Sequence, residues 1–413
     1  MDVDYLLWLI LLLLFGRALG EVFRRFEFQP LIGEVLAGLI LGPALLGFIV
    51  FSIGEENPLE YFSQFGILML MLLAGLITDF ESFAENKMSS IVIGAFGVIV
   101  SFVIVFFPLH FLLGVDFLPS LFIAAILSNT AIEVCAGILI HSTNQKIKNV
   151  VLGASFVDDI IAVFLIGIVS SYVFLGETLE IVEIGWLAVK VIIFLIVTLV
   201  VVSWPLEKLF DRLHKGSEEF KLMLTTTFIL TFLFALVATW VDLHYVIGAY
   251  IAGLIVGKWG SRVGPMLRRR ITWRKLVNDI DTPLRAIFGP IFFGYIGLLA
   301  SVIVKEVGAP LWEVVSLILV ISILAFIGKI LGCGLGARVC KFNNSESIVI
   351  GTVMCGRGAL ELVLLSFGLE IGAITEPQFI SLVIVTLITI VLTPILYTLT
   401  IKRYEKKGKI FEL

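Results

Sequence analysis

Two adjacent aspartates, Asp158-Asp159, lie in Gly153-Ala-Ser-Phe-Val-Asp-Asp-Ile-Ile-Ala-Val-Phe-Leu-Ile-Gly167, a run otherwise apolar enough to sit inside a bilayer. One carboxylate at mid-membrane costs roughly 2.5–3.5 kcal/mol on insertion scales, so two side by side point to use rather than packing. Adjacent carboxylates in a low dielectric cannot both ionise cheaply, and their titrations couple. The chemistry open to them is the uptake and release of protons, or exchange of a proton for a small hard cation that prefers oxygen ligands.

Further residues could share that site. Lys329, in Ile321-Ser-Ile-Leu-Ala-Phe-Ile-Gly-Lys-Ile-Leu-Gly-Cys-Gly-Leu-Gly336, is too far from either end of its run to snorkel and needs an anionic partner. Asp158 or Asp159 supplies one, and the carboxylate left over is then available for exchange. Ser128-Asn129-Thr130 and Cys355-Gly356-Arg357-Gly358 interrupt two more apolar runs. Backbone groups freed in such breaks are tolerated at membrane depth only where they line a cavity or meet protein partners. Asn129 and Thr130 would add oxygen ligands to those of the carboxylates. Thr130-x-x-Glu133 has capping-box form and Gly358 precedes Glu361 with the same spacing, so a new half-helix is expected to start at each break. Glu133 and Glu361 would then complement the positive helix ends or face the site, with Arg357 as a further charge in the second break. No nucleophile and base stand in catalytic spacing, so the chain is not read as an enzyme.

The elements that must position these residues follow from composition. Of 413 residues 59% are hydrophobic and 15% charged, with mean hydropathy +1.10 and 34 phenylalanines. This describes an all-α polytopic membrane protein whose partners are lipid and small solutes, with no sign of a nucleic-acid partner. The cysteines Cys135, Cys333, Cys340 and Cys355 form no CxxC pair and are read as packing residues. The first apolar run follows Asp2 and Asp4 rather than a basic region, and is expected to remain as a helix.

Runs long enough to cross about 30 Å of hydrocarbon fall at 5–23, 28–50, 62–80, 89–113, 118–140, 147–173, 185–206, 220–241, 244–258, 284–304, 313–339, 346–371 and 378–401. That is about thirteen spans. Of the 29 Lys and Arg, all but Lys190, Lys305, Lys329 and Arg357 fall at one set of alternate loops or helix ends. That face is expected to be cytoplasmic, with the N-terminus outside and the C-terminus inside. Its basic loop, 258–282, is explained by topology alone. Glu34 and Arg17, each about two turns from a helix end, are expected to snorkel or pair.

The sequence also repeats. Leu31-Ile-Gly-Glu-Val-Leu-Ala-Gly-Leu-Ile-Leu-Gly42 matches Val246-Ile-Gly-Ala-Tyr-Ile-Ala-Gly-Leu-Ile-Val-Gly257, and Asn129-Thr-Ala-Ile-Glu-Val134 aligns with Arg357-Gly-Ala-Leu-Glu-Leu362. Under the charge-based topology the two copies run in opposite directions, the inverted-repeat plan of secondary transporters. The expected division is a first repeat at 1–174, a linker helix and loop at 175–218, a second repeat at 219–401 and a basic tail at 402–413.

Gln29-Pro-Leu-Ile-Gly-Glu-Val-Leu-Ala-Gly-Leu-Ile-Leu-Gly-Pro43, Leu73-Ala-Gly-Leu76, Leu127-Ser-Asn-Thr-Ala131, Asp158-Asp159, Gly328-Lys329 and Gly356-Arg-Gly-Ala-Leu-Glu361 together resemble the monovalent cation:proton antiporters. The aspartate pair with the intramembrane lysine looks like the electrogenic sodium/proton branch. That resemblance implies thirteen helices with two discontinuous crossing helices, a homodimer in the cell membrane, and alternating access by a moving core. It also implies two protons per sodium ion and no cofactor beyond the transported Na+ and H+. By position, Asp159 would bind the cation or proton and Asp158 would pair with Lys329, with Thr130 among the sodium ligands. Asn129 departs from the serine or threonine that relatives often carry there, and Glu133 beyond it is a second departure. The other expectation is potassium/proton exchange of the Kef-like type, without the cytosolic nucleotide-binding domain that such proteins commonly carry.

Overall fold

Apolar runs that must satisfy their own backbone in lipid form helices, and the computed structural model of the chain is predominantly helical over the residues it describes: 3–26, 28–50, 58–77, 86–139, 144–175, 219–240, 245–261, 267–307 and 311–405, with isolated positions between 189 and 208. In chain order these are α1 (Val3–Arg25), α2 (Pro30–Leu41), α3 (Pro58–Leu76), α4 (Lys87–Phe107), α5 (Phe117–Leu127), α6 (Ile132–Ile138), α7 (Gln145–Leu175) and α8 (Glu219–Trp240). They continue as α9 (Tyr245–Ser261), α10 (Leu267–Pro283), α11 (Gly289–Val307), α12 (Leu311–Val339), α13 (Asn344–Val353), α14 (Ala359–Glu370) and α15 (Glu376–Glu405). Among the described residues, eight helical stretches are long and apolar enough to cross a membrane. The span expected at 185–206 lies, but for those isolated positions, outside the described residues.

The expected spans at 118–140 and 346–371 are each split, into α5 and α6 and into α13 and α14. The span expected at 28–50 is shorter. Gly42-Pro43 ends α2, and the chain folds back with Gly47 at φ 66 so that the Ile49 amide reaches the Leu41 carbonyl at 3.0 Å. The basic stretch 258–282, read from sequence as a loop, contains α10. Its Arg, Lys and Leu are good helix formers, and positive charge on a membrane-flanking loop does not preclude helix. Prolines mark two π-helical turns, Pro108–Leu112 after α4 and Leu284–Phe288 directly after Pro283. A missing proline amide breaks the regular ladder there and the next bonds slip to wider spacing.

The two copies of the glycine motif are α2 and α9, and each packs along a helix of the other half of the chain: α2 on α11, α9 on α3. Close approach requires glycine in both. A Cβ at Gly38 would run into the Gly294 carbonyl, and one at Gly253 into the carbonyl of Leu72. Helices α4 and α12 pack along each other, with α7 against α4 and α15 against α12, so both halves supply the same kind of scaffold around the two split helices. The largest apolar cluster runs through α2, α3, α5, α9, α11, α14 and α15. A second one, including Ile93, Cys135, Val150, Cys333 and Val353, fills the other side of the crossing.

Candidate functional site

A helix that stops inside a membrane leaves its last four carbonyls without intrahelical donors. For α5 every one is satisfied. The Ser128 amide takes the carbonyls of Ala124 and Ala125 at 3.0 and 3.3 Å, the Asn129 amide takes Ile126 at 3.1 Å, and the Ser128 hydroxyl adds a 2.7 Å bond to Ala125. Arg357, 1% exposed, then donates from Nη1 to Ile126 and Asn129, each at 3.4 Å, and from Nη2 to Leu127. Its Nη1 also pairs with the Glu361 carboxylate one turn further along. A guanidinium thus sits at the negative end of the α5 dipole, with a buried carboxylate as counter-charge.

The end of α13 is closed by neutral groups instead. Amides of Met354, Cys355 and Gly356 take Ile350, Thr352 and Val353 at 3.0, 3.2 and 3.2 Å, and the Cys355 thiol lies 3.3 Å from the Gly351 carbonyl. The two breaks are tied together by the Ala131 amide to the Gly356 carbonyl at 2.9 Å and the Thr130 hydroxyl to the Met354 carbonyl at 2.8 Å.

That last bond corrects the capping-box expectation. Ala131, not Thr130, is the N-cap of α6, without a side-chain capping bond, because the threonine hydroxyl is engaged across the crossing. Glu133 falls in the first turn of α6, and its side chain lies outside the described residues. Glu361 is in the first turn of α14 as expected, but its carboxylate is turned to Arg357 rather than to a cap. A capping box that the described residues do contain, Asn343 with Glu346 at the start of α13, went unread in the sequence, although Asn-x-x-Glu is its plain signature.

Consecutive residues on a helix point about 100° apart, which divides the aspartate pair. Asp158 faces α12, where its Oδ2 is paired with Lys329 Nζ, both side chains having no exposure at all. Gly97 of α4 makes room for them: a Cβ there would lie 2.5 Å from Cys333 Sγ, 3.5 Å from Lys329 Nζ and 3.6 Å from Asp158 Oδ1. Asp159 faces the other way and is 6% exposed. It lines a cavity of about 830 Å³ whose walls include Arg17, Glu34 and, at the starts of α6 and α14, Ala131, Ile132, Ala359 and Leu360. Asn129, 3% exposed, has a buried Oδ1 without a hydrogen-bond partner among the described residues. Of the residues selected from sequence, Asp158, Lys329, Asn129, Thr130, Arg357 and Glu361 are therefore held in one buried region, and Asp159 opens from it to the cavity.

Comparison with known proteins points the same way. A family model described as "Sodium/hydrogen exchanger, transmembrane" matches residues 10–402. The chain is 29% identical over 378 residues to GerT of Bacillus cereus, named as a probable Na(+)/H(+) antiporter, covering 91% of this chain and 94% of that protein. It is 26% identical over 411 residues to the Na(+)/H(+)-K(+) antiporter GerN of Bacillus cereus, with 99% of both chains covered. Its fold superposes on that of the sodium proton antiporter MjNhaP1 of Methanocaldococcus jannaschii with a TM-score of 0.72 at 17% identity, over 96% of this chain and 98% of that one. The chain is a multi-pass membrane protein that belongs to the sodium/hydrogen exchanger family.

Proposed function

We propose that the protein exchanges Na+ or Li+ for H+ across the cell membrane, with Asp159 as the residue at which cation and proton compete. The observation that carries this reading is the division of the aspartate pair. Asp158 is held by Lys329 out of reach of solvent, while Asp159 lines the open cavity beside the crossing. A carboxylate that must leave its ion again is served by such a wall, since binding has to be strong enough to enter and weak enough to exit. Thr130 and Asn129 would complete the oxygen set on the buried side. Lys329 would either carry a proton in the cycle or act only as the counter-charge of Asp158. Arg357, Glu361 and Glu133 would hold the two breaks in shape.

The same reading takes the repeats at 1–174 and 219–401 as inverted halves, moves their core against a dimer-forming bundle to expose the site alternately, and sets the N-terminus outside with the basic face cytoplasmic. Exchange would be electrogenic, with two protons for each sodium ion. A dye-reported proton flux in proteoliposomes, driven by sodium against an imposed pH gradient, tests it. Wild-type protein should respond and Asp159→Asn should not; a response retained in Asp159→Asn would overturn the assignment of the site. Cation flux uncoupled from protons would instead make the protein a channel.

A second reading, potassium participation, is favoured by the likeness to a relative named as a Na(+)/H(+)-K(+) antiporter. Charge movement on solid-supported membranes with sodium, lithium and potassium compared side by side separates the two.

A further inference from the structure

Glu34 is used by nothing described so far. It lies in α2, one residue past the glycine that docks on α1, and is 4% exposed. Among the described residues its carboxylate accepts no hydrogen bond and joins no ion pair. Its stem passes Gly20 of α1, where an added Cβ would lie 3.5 Å from Glu34 Cγ, and its Oε2 lies 3.8 Å from a Cβ built on Gly289 at the start of α11. Glu34 and Asp159 line one and the same cavity.

Packing does not demand an acid at this position. In the second copy of the glycine motif the equivalent residue is Ala249, fully buried in the same kind of helix. The first copy thus bears a nearly buried carboxylate that the shared architecture can do without, at a cost that packing alone does not explain. The other charged residues on the cavity wall are Arg17, Glu21, Arg24 and Arg285. Arg285 pairs with Asp281 at 2.5 Å, Arg24 with Glu21 at 2.7 Å, and Arg17 donates to the Arg285 carbonyl at 3.3 Å, so none of them is in ion-pair contact with Glu34, which lies in the field of Arg17 and Arg285.

We infer that Glu34 is a second station for the transported monovalent cation or proton, standing in the cavity between its basic mouth and Asp159. This rests on the reading of Asp159 as the exchanging residue. An ion entering past Arg24 and Arg285 would meet Glu34, which offsets their positive field and holds the ion before it moves to Asp159.

The test uses full-length protein in proteoliposomes with sodium as the probe. Glu34→Gln and Glu34→Ala should raise the KM for sodium about tenfold and flatten the dependence of rate on pH, while melting temperature stays at the wild-type value, as Ala249 leads one to expect. Glu34→Asp should bring KM back to within about threefold of wild type. Unchanged KM and pH profile in Glu34→Gln would overturn the station, as would a KM that Glu34→Asp fails to recover. Failure of the underlying reading has a different signature: Asp159→Asn would then keep its exchange activity. In that event sodium-dependent thermal stabilisation of wild type against Glu34→Gln decides whether Glu34 binds the ion, equal stabilisation ruling it out.

Discussion

Arg357 donates from Nη1 to the main-chain carbonyl of Asn129, the residue that holds its own place in the first copy of the broken-helix motif, 228 residues earlier. The two positions equated by sequence meet in space where the split helices cross. They differ in charge, so the crossing is asymmetric in electrostatics. Among the described residues, a guanidinium closes the α5 end and not the α13 end, and a buried carboxylate, Glu361, balances it there.

Arg357→Gln is therefore expected to destabilise the protein by about 3–5 kcal/mol, because it strands the Glu361 carboxylate and the Leu127 carbonyl in a dry interior. Arg357→Lys should recover little of this, since one ammonium cannot reproduce a planar fork that serves three carbonyls and a carboxylate. Thermal unfolding in detergent reads both. Near-wild-type stability in Arg357→Lys would show that charge alone is needed.

The Asp158–Lys329 pair predicts non-additive mutations. Asp158→Asn and Lys329→Gln each leave an uncompensated charge in a site without solvent exposure and should each cost about 3–5 kcal/mol. The double variant removes both charges at near-constant volume, so it should be more stable than either single one, giving a large coupling energy. Lys329→Gln also separates the two roles open to the lysine. Charge movement on solid-supported membranes should vanish while exchange persists if Lys329 carries a proton, and should persist if it is only the counter-charge.

Gly97 gives a steric test of the same region. A methyl group there meets Cys333 Sγ at 2.5 Å, too close to be absorbed without displacing the residue beside the ion pair. Gly97→Ala should cost about 1–3 kcal/mol, the usual penalty for overpacking a tight core. Cys333→Ala takes the sulfur away, so adding it to Gly97→Ala should restore most of the loss. If the double variant is as unstable as the sum of the two singles, the clash is not the cause.

Much of this arrangement was legible in the sequence because membrane burial makes charge rare and therefore informative. Asp158, Asp159 and Lys329 stood out by cost alone, and the need to compensate a buried ammonium called for one of the two aspartates beside Lys329; that it is Asp158 was implied only by the family resemblance. The helix breaks were readable as polar interruptions of apolar runs. What lay beyond reach was direction across space. Thr130 looked like a cap because local spacing favours that reading, whereas its hydroxyl bonds to a carbonyl 224 residues away. Arg357 was visible as a charge, but that it closes α5 rather than its own half-helix depends on the crossing, which no local pattern encodes. Helix α10 escaped because its basic composition was explained by topology, and topology is silent on conformation.

The last prediction concerns competition. If one proton and one sodium ion share the Asp159 carboxylate, the cation binds only the deprotonated form, and its affinity must depend on pH. In the acidic range, where the protonated form dominates, the apparent KM for sodium should rise about tenfold for each unit by which pH falls, while the maximal rate at saturating sodium stays level. At higher pH the KM should reach a plateau set by the carboxylate itself. Asp159 suits this because it lines the cavity, whereas Asp158 is already held by Lys329. Initial rates of sodium-driven proton movement in proteoliposomes, taken over a grid of sodium concentration and pH, measure both limbs. A KM independent of pH across the whole range would mean that proton and cation occupy separate groups, and a maximal rate that falls in step with KM would place the titrating group outside the binding site.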